Sequence, residues 1–165
     1  MLVTHRNILV LFFIFFITFS TQSEENPYIF IDSNAQKMVE VLTADADLFD
    51  TNREEYENKI KMIFEPMIDF RIVSASVMGK KYYLMATPEQ RSNFVDIFKD
   101  SLLDTYAETL AQWGDSIIST NFPDKLPEDD VLTIEVKQTL DTGTSKYPIC
   151  YKLRKSSEGW KIVNI

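Results

Sequence analysis

Histidine and cysteine are almost missing from this sequence: His5 and Cys150 are the only ones in 165 residues. A lone cysteine excludes an intrachain disulfide, and one histidine plus one cysteine leaves too few ligands for a Cys/His zinc centre. Glycine is scarce as well. The four glycines, Gly79, Gly114, Gly143 and Gly159, are too far apart to write either the G-x-G-x-x-G phosphate loop or the G-x-S-x-G nucleophile turn. Basic residues are outnumbered, 17 Lys and Arg against 25 Asp and Glu, for a formal charge of -8. Binding to a phosphate backbone needs the opposite balance, which argues against nucleic acid as a partner. What is present, 45% hydrophobic and 25% charged residues, is the composition of one compact domain.

Long apolar runs are also few. One stretch, residues 8–19 (ILVLFFIFFITF), is apolar apart from Thr18 and follows a short segment carrying Arg6 and no acid. It is short for a membrane span, which takes roughly 20 residues, and it suits the apolar region of a signal peptide. Thr21 and Ser23 supply small residues at the -3 and -1 positions of a cleavage site, and no cysteine follows to make a lipoprotein. The reading is a signal peptide over 1–23 and a single mature domain over 24–165, exported and without a permanent membrane anchor. Cleavage removes the only histidine, and with it any Ser-His or Cys-His nucleophile, His general base or His metal ligand. Cys150 then reads as a small core or strand residue, since an exported lone thiol is best kept buried.

The mature part divides into a helical first portion and a strand-rich end. Ser33 with Gln36 fits a capping box ahead of Ala35, Met38, Val39, Leu42, Ala46 and Phe49 at helical spacing. Thr51 with Glu54 fits a second, before Tyr56, Ile60, Ile63, Phe64 and Met67, with Pro66 near the end. A third helix is predicted from Asp69 as N-cap to a stop at Gly79. Thr87-Pro88-Glu89-Gln90 combines an N-cap, a proline at the first helical position and a glutamine that reaches back. The long helix that follows carries Phe94, Phe98, Leu102, Tyr106 and Leu110 in steps of four, widened by Trp113 and ended by Gly114; Asp96, Asp100, Asp104 and Glu108 form a solvated line.

Beyond Gly114 the period becomes two. Leu132, Ile134, Val136 and Leu140 alternate with polar residues, residues 141–145 form a turn, and Ile149, Tyr151 and Leu153 alternate with Cys150, Lys152 and Arg154. Ser157-Glu158-Gly159 turns that strand into one beginning at Trp160, and Ile117 and Ile118 suggest an additional strand. The fold class is α+β, with several N-terminal helices packed on one face of an antiparallel sheet.

Three blocks now occur in order: Val77-Met78-Gly79-Lys80-Lys81-Tyr82-Tyr83, Ala86-Thr87-Pro88-Glu89-Gln90-Arg91 with Phe94, and Phe98-Lys99, Leu102, Thr105-Tyr106-Ala107. With Asn26-Pro27-Tyr28, Asp69-Phe70 and the closing Pro148, Tyr151, Leu153-Arg154-Lys155, Gly159-Trp160-Lys161, they resemble the MlaC family, also called the toluene-tolerance Ttg2 family. The resemblance implies an NTF2-like α+β fold with a curved antiparallel sheet. It implies a periplasmic phospholipid-binding carrier with no cofactor beyond its lipid cargo. Its implied partners are an outer-membrane lipoprotein complex and an inner-membrane ABC transporter of the Mla system, and its implied role is to keep outer-membrane lipid asymmetry without catalysis. Members of that family continue past the Trp-Lys hairpin into a further segment that does not follow Ile165 here. That departure implies either a C-terminally shortened member lacking part of the pocket wall or a fragment of a longer chain.

A carrier must match what acyl chains lose on leaving each other, about 0.8 kcal/mol per CH₂ and on the order of 20 kcal/mol for two chains. Only an enclosed apolar cavity does that. Its candidate lining is Phe94, Phe98, Leu102 and Tyr106 on the long helix, Val77, Met78, Tyr82 and Tyr83 before it, and Ile134, Val136, Tyr151, Leu153 and Trp160 on the strands. Residues 24–130 are strongly acidic and residues 131–165 mildly basic, and an acidic surface overall does not adhere to anionic lipid. Lys146, Lys152, Arg154, Lys155 and Lys161 either dock an acidic partner, lie near a lipid phosphate or form solvated strand faces. The alternatives are a non-transporting interaction protein and, with Asp69 and Tyr106 as its acid and base, a ketosteroid-isomerase-like enzyme. The acidic pairs Asp45 with Asp47 and Asp129 with Asp130 lack the EF-hand pattern and read as solvated surface rather than a cation site.

Overall fold

The computed structural model describes residues 26–112, 116–128 and 130–165. The signal-peptide reading, the placing of Trp113 and Gly114 at the end of the long helix, and Asp129 lie outside them.

The chain begins with α1 (Pro27–Ala44), the single turn α2 (Leu48–Thr51) and α3 (Arg53–Phe64), which a 3-10 turn (Glu65–Met67) extends. The N-cap of α1 lies seven residues before the expected Ser33. Asn26 caps it, Oδ1 accepting from the backbone N–H of Tyr28 at 2.9 Å and Ile29 at 3.4 Å, and Pro27 takes the first position. The early start is favoured because Tyr28 and Ile31 are then buried in the core, whereas the Ser33 hydroxyl merely donates back to Phe30 O within the helix. The cap of α3 is likewise one residue later than Thr51. Asn52 accepts from the Glu55 N–H and donates to its carboxylate, while Thr51 ends α2.

Two longer helices follow, α4 (Phe70–Met85) and α5 (Pro88–Leu110). Asp69 caps α4 as expected, its Oδ1 accepting from Ile72 N at 3.0 Å. The first half of α4 stops at Gly79 as expected, where φ 74°, ψ 154° breaks the spiral, and a second helical piece continues from there to Met85. The capping box of α5 forms in both directions, Gln90 N donating to Thr87 Oγ1 at 3.2 Å and Thr87 N donating to Gln90 Oε1 at 2.9 Å. Its acidic line is exposed, yet Asp104 pairs with Lys61 at 2.6 Å and Glu108 with Arg53 at 3.5 Å. These exposed pairs add little stability, but they tie α5 to α3.

The sheet is a four-stranded antiparallel meander, β1 (Ile117–Thr120), β2 (Thr133–Asp141), β3 (Lys146–Ser156) and β4 (Gly159–Asn164), in the order β1-β2-β3-β4. An irregularity in the β3–β4 register at Lys152/Leu153 bends it. Ile134, Val136 and Leu140 alternate inward as expected, with Gln138 between the last two. Leu132 falls just outside β2 and is exposed, because the strand starts one residue after it. Cys150 is a strand residue but not a core one. Its neighbours Ile149 and Tyr151 face the helices, so the period of two turns its side chain outward, where it is exposed.

Helices and sheet enclose two apolar clusters. One joins Tyr28, Ile31, Phe70 and Leu103 to Val136, Leu153, Trp160 and Ile162; the other joins Met38, Tyr56, Ile60, Ala107 and Leu110. The chain leaving the 3-10 turn is sewn to β4, with Asp69 N donating to Ile162 O at 2.9 Å and Lys161 Nζ donating to Pro66 O at 2.7 Å.

Candidate lipid cavity

Between the two clusters the packing leaves a cavity of about 260 Å³. One wall is α1, through Ile31, Asn34, Ala35, Met38, Val39 and Leu42. Phe64, Met67, Tyr106 and Leu110 come from the helices opposite, and Ile118, Gln138, Leu140, Ile149 and Tyr151 from the sheet. No side chain charged at neutral pH lines it. Tyr106 stacks on Phe64 with ring centroids 5.4 Å apart. Burial raises the phenols of Tyr106 and Tyr151 above the usual tyrosine range, Tyr151 the more strongly. Both therefore stay neutral at physiological pH, and neither offers a base there.

One polar group reaches this apolar wall from a relay. Thr120 Oγ1 donates to the Asp32 carboxylate at 2.7 Å and accepts from Gln138 Nε2 at 2.8 Å. Gln138 is 1% exposed, and its Oε1 has no hydrogen-bond partner among the described residues. Asn34 is occupied elsewhere, donating to Phe30 O at 2.8 Å.

The residues expected from sequence to line a lipid site fall in three places. Tyr106 and Tyr151 line the cavity. Val136, Leu153 and Trp160 are buried in the first cluster, with Phe98, Leu102 and Ile134 packed against it. Met78, Tyr82 and Phe94 share a shallow surface groove with Met85, Ala86 and Gln90, while Val77 and Tyr83 are exposed. Sequence reasoning missed the α1 wall. Its signal was present, since Ala35, Met38, Val39 and Leu42 were recognised as an apolar stripe, but a stripe does not say whether it meets side chains or empty space.

Asp69 and Tyr106, the acid and base of the enzyme alternative, are not brought together at this cavity. Tyr106 lines it and Asp69 is the α4 cap. Asp45, one of the acidic residues considered for a cation, pairs with Lys59 at 2.7 Å. Of the basic strand residues, Lys146 pairs with Asp141 and Lys161 with Glu158.

The family model described as MlaC protein matches residues 32–165. The chain belongs to the MlaC family. Toluene tolerance protein ttg2D of Pseudomonas putida is 26% identical over 145 residues, 88% of this chain and 66% of that protein. The intermembrane phospholipid transport system binding protein MlaC of Haemophilus influenzae is 20% identical over 153 residues, covering 92% of this chain and 71% of the other. The chain thus spans about two thirds of the length of these MlaC relatives. Its fold matches a solved structure of the phospholipid-binding protein from Ralstonia solanacearum in complex with a phospholipid. The TM-score is 0.72 at 23% identity, over 84% of this chain and 75% of that one. Among the described residues of this MlaC member, no helix is long and apolar enough to cross a membrane.

Proposed function

We propose that this chain is a phospholipid carrier that holds acyl chain in the cavity between α1, α5 and the sheet. The observation that carries the reading is a partly open apolar cavity lined by no charged side chain, in a chain with a family relative named for intermembrane phospholipid transport. Such a wall favours alkyl chain by about 0.8 kcal/mol for each CH₂ taken from water. It also leaves the charged headgroup at the rim, since an unpaired charge is strongly penalised inside. The chain works in the periplasm after export. It shuttles lipid between an outer-membrane lipoprotein complex and the inner-membrane ABC transporter of the Mla system, so preserving outer-membrane asymmetry. It catalyses no reaction; its partners supply the energy.

The test is native mass spectrometry with lipid extraction on the full chain, exported to the periplasm and purified without detergent. The expected result is about one phospholipid per protein, the stoichiometry of one site. Met38→Trp and Leu140→Trp, which fill the cavity from opposite walls, are expected to purify folded and empty. A folded parent protein carrying no lipid would overturn the carrier reading in favour of a non-transporting interaction protein.

A further inference from the structure

The end of α4 is built unlike the rest of the surface. Residues 80–85 are helical, yet every one of them is exposed, where a helix packed on a domain hides a stripe of one face. The exposed side chains include Tyr82 at 63%, Leu84 at 66% and Met85 at 72%. The break at Gly79 separates this piece from the half of α4 that packs on the core through Phe70 and Ser74. The result is a projecting apolar tip.

Charge reverses at the same place. Residues 71–91 hold Arg71, Lys80, Lys81 and Arg91 against one acid, Glu89, in a chain of net charge -8. Among the described residues none of the four forms an ion pair. Two lie instead against aromatic faces. The Lys81 ammonium is 5.5 Å from the Tyr82 ring centroid, and the Arg91 guanidinium is 4.2 Å from that of Tyr83 while donating to Tyr83 O at 2.9 Å. Cations and tyrosines are thus interleaved with Leu84 and Met85 on one projection.

We propose that this tip docks on the surface of an anionic phospholipid bilayer. Leu84 and Met85 enter the boundary between headgroups and acyl chains, Tyr82 and Tyr83 sit at headgroup level, and Lys80, Lys81 and Arg91 face the lipid phosphates. Tyrosine and lysine suit such an interface because each carries an apolar body and a polar end. A second copy of the chain is a poorer occupant, since it would bring two positive tips together. A protein partner would more usually cover a patch whose centre is depleted of charge, and here charge and apolar groups alternate. The acidic remainder of the molecule is repelled by the same membrane, which orients the approach and keeps it reversible. The proposal concerns a surface separate from the cavity and does not require the carrier reading.

The experiment is co-sedimentation of the full chain with vesicles of equimolar phosphatidylglycerol and phosphatidylcholine, and with phosphatidylcholine alone. Binding is expected on the anionic vesicles only and is expected to weaken with added salt. Lys80→Glu with Lys81→Glu, and separately Leu84→Ser with Met85→Ser, are expected to lower the partition coefficient by about tenfold or more. All four side chains are exposed, so unchanged melting curves and unchanged co-purified lipid are expected for both variants. Absence of binding to the anionic vesicles at low salt would overturn the proposal, as would binding that both variants retain. So would a concentration-dependent dimer abolished by the same variants, which would assign the tip to a second copy. A parent protein that sediments yet carries no extractable lipid would sink the carrier reading and leave this one standing.

Discussion

Gln138 is held by a chain of hydrogen bonds whose polarity can be deduced from its far end. A carboxylate only accepts, so the Thr120 hydroxyl spends its one proton on Asp32 and can only accept from the Gln138 amide nitrogen. The amide oxygen is thereby turned away and buried without a hydrogen-bond partner among the described residues. An orphaned acceptor costs about 1–3 kcal/mol, and the bond to Thr120 returns about 0.5–1.5 kcal/mol. The two nearly offset. Gln138→Met is therefore expected to leave stability within about 1 kcal/mol of the parent in urea unfolding, where Leu153→Ala in the packed core loses about 2–5 kcal/mol. A loss above about 3 kcal/mol from Gln138→Met would show that the amide oxygen is fully engaged in the native protein.

At the scale of elements, α4 departs most from a simple amphipathic helix. Gly79 at φ 74°, ψ 154° occupies backbone space that is essentially glycine-only, and an added Cβ there would meet no atom within 4 Å. The cost of Gly79→Ala is consequently one of backbone strain alone, about 1–3 kcal/mol. Chemical denaturation is expected to show that loss with an unchanged slope, because the core half of α4 is untouched. A variant as stable as the parent would mean that the residues after position 79 can swing into line as a continuous helix at no cost. Local chemistry made some boundaries legible. The Thr87–Gln90 box and the Asp69 cap are complete within four residues, so no distant contact was needed to find them. The start of α1 was not legible in the same way. Asn26 and Ser33 are both acceptable caps, and burial of Tyr28 and Ile31 in the core selects the earlier one.

For the whole molecule the relevant quantity is the size of the space between α1 and the sheet. About 260 Å³ lies just under the usual range of ligand pockets, about 300–1,000 Å³, so two acyl chains require the walls to part. The exposed Cys150 on the outer face of β3, alone of its kind in the chain, supplies one label site, and Lys37→Cys on the exposed side of α1 supplies another. Spin labels at the two are expected to separate by roughly 3–5 Å on loading with phospholipid, about one carbon-to-carbon contact distance. An unchanged distance would show that the cavity accepts part of a chain without opening.

Sequence alone determined the order and type of the principal elements, the inward faces of β2 and β3 and the family. These depend on caps, on periods of 3.6 and 2, and on short blocks that neighbouring residues complete. It also placed Tyr106 and Tyr151 on faces that turn toward the interior. Tertiary structure decided which interior faces meet each other and which leave a gap. The same aromatic stripe of α5 packs against the first cluster at Phe98 and Leu102 and lines the cavity at Tyr106, where α1 supplies the facing wall. An apolar period reports that a residue avoids water; whether it does so against a neighbour, around a cavity or not at all, as at Tyr82 and Leu84, depends on elements far away in the chain.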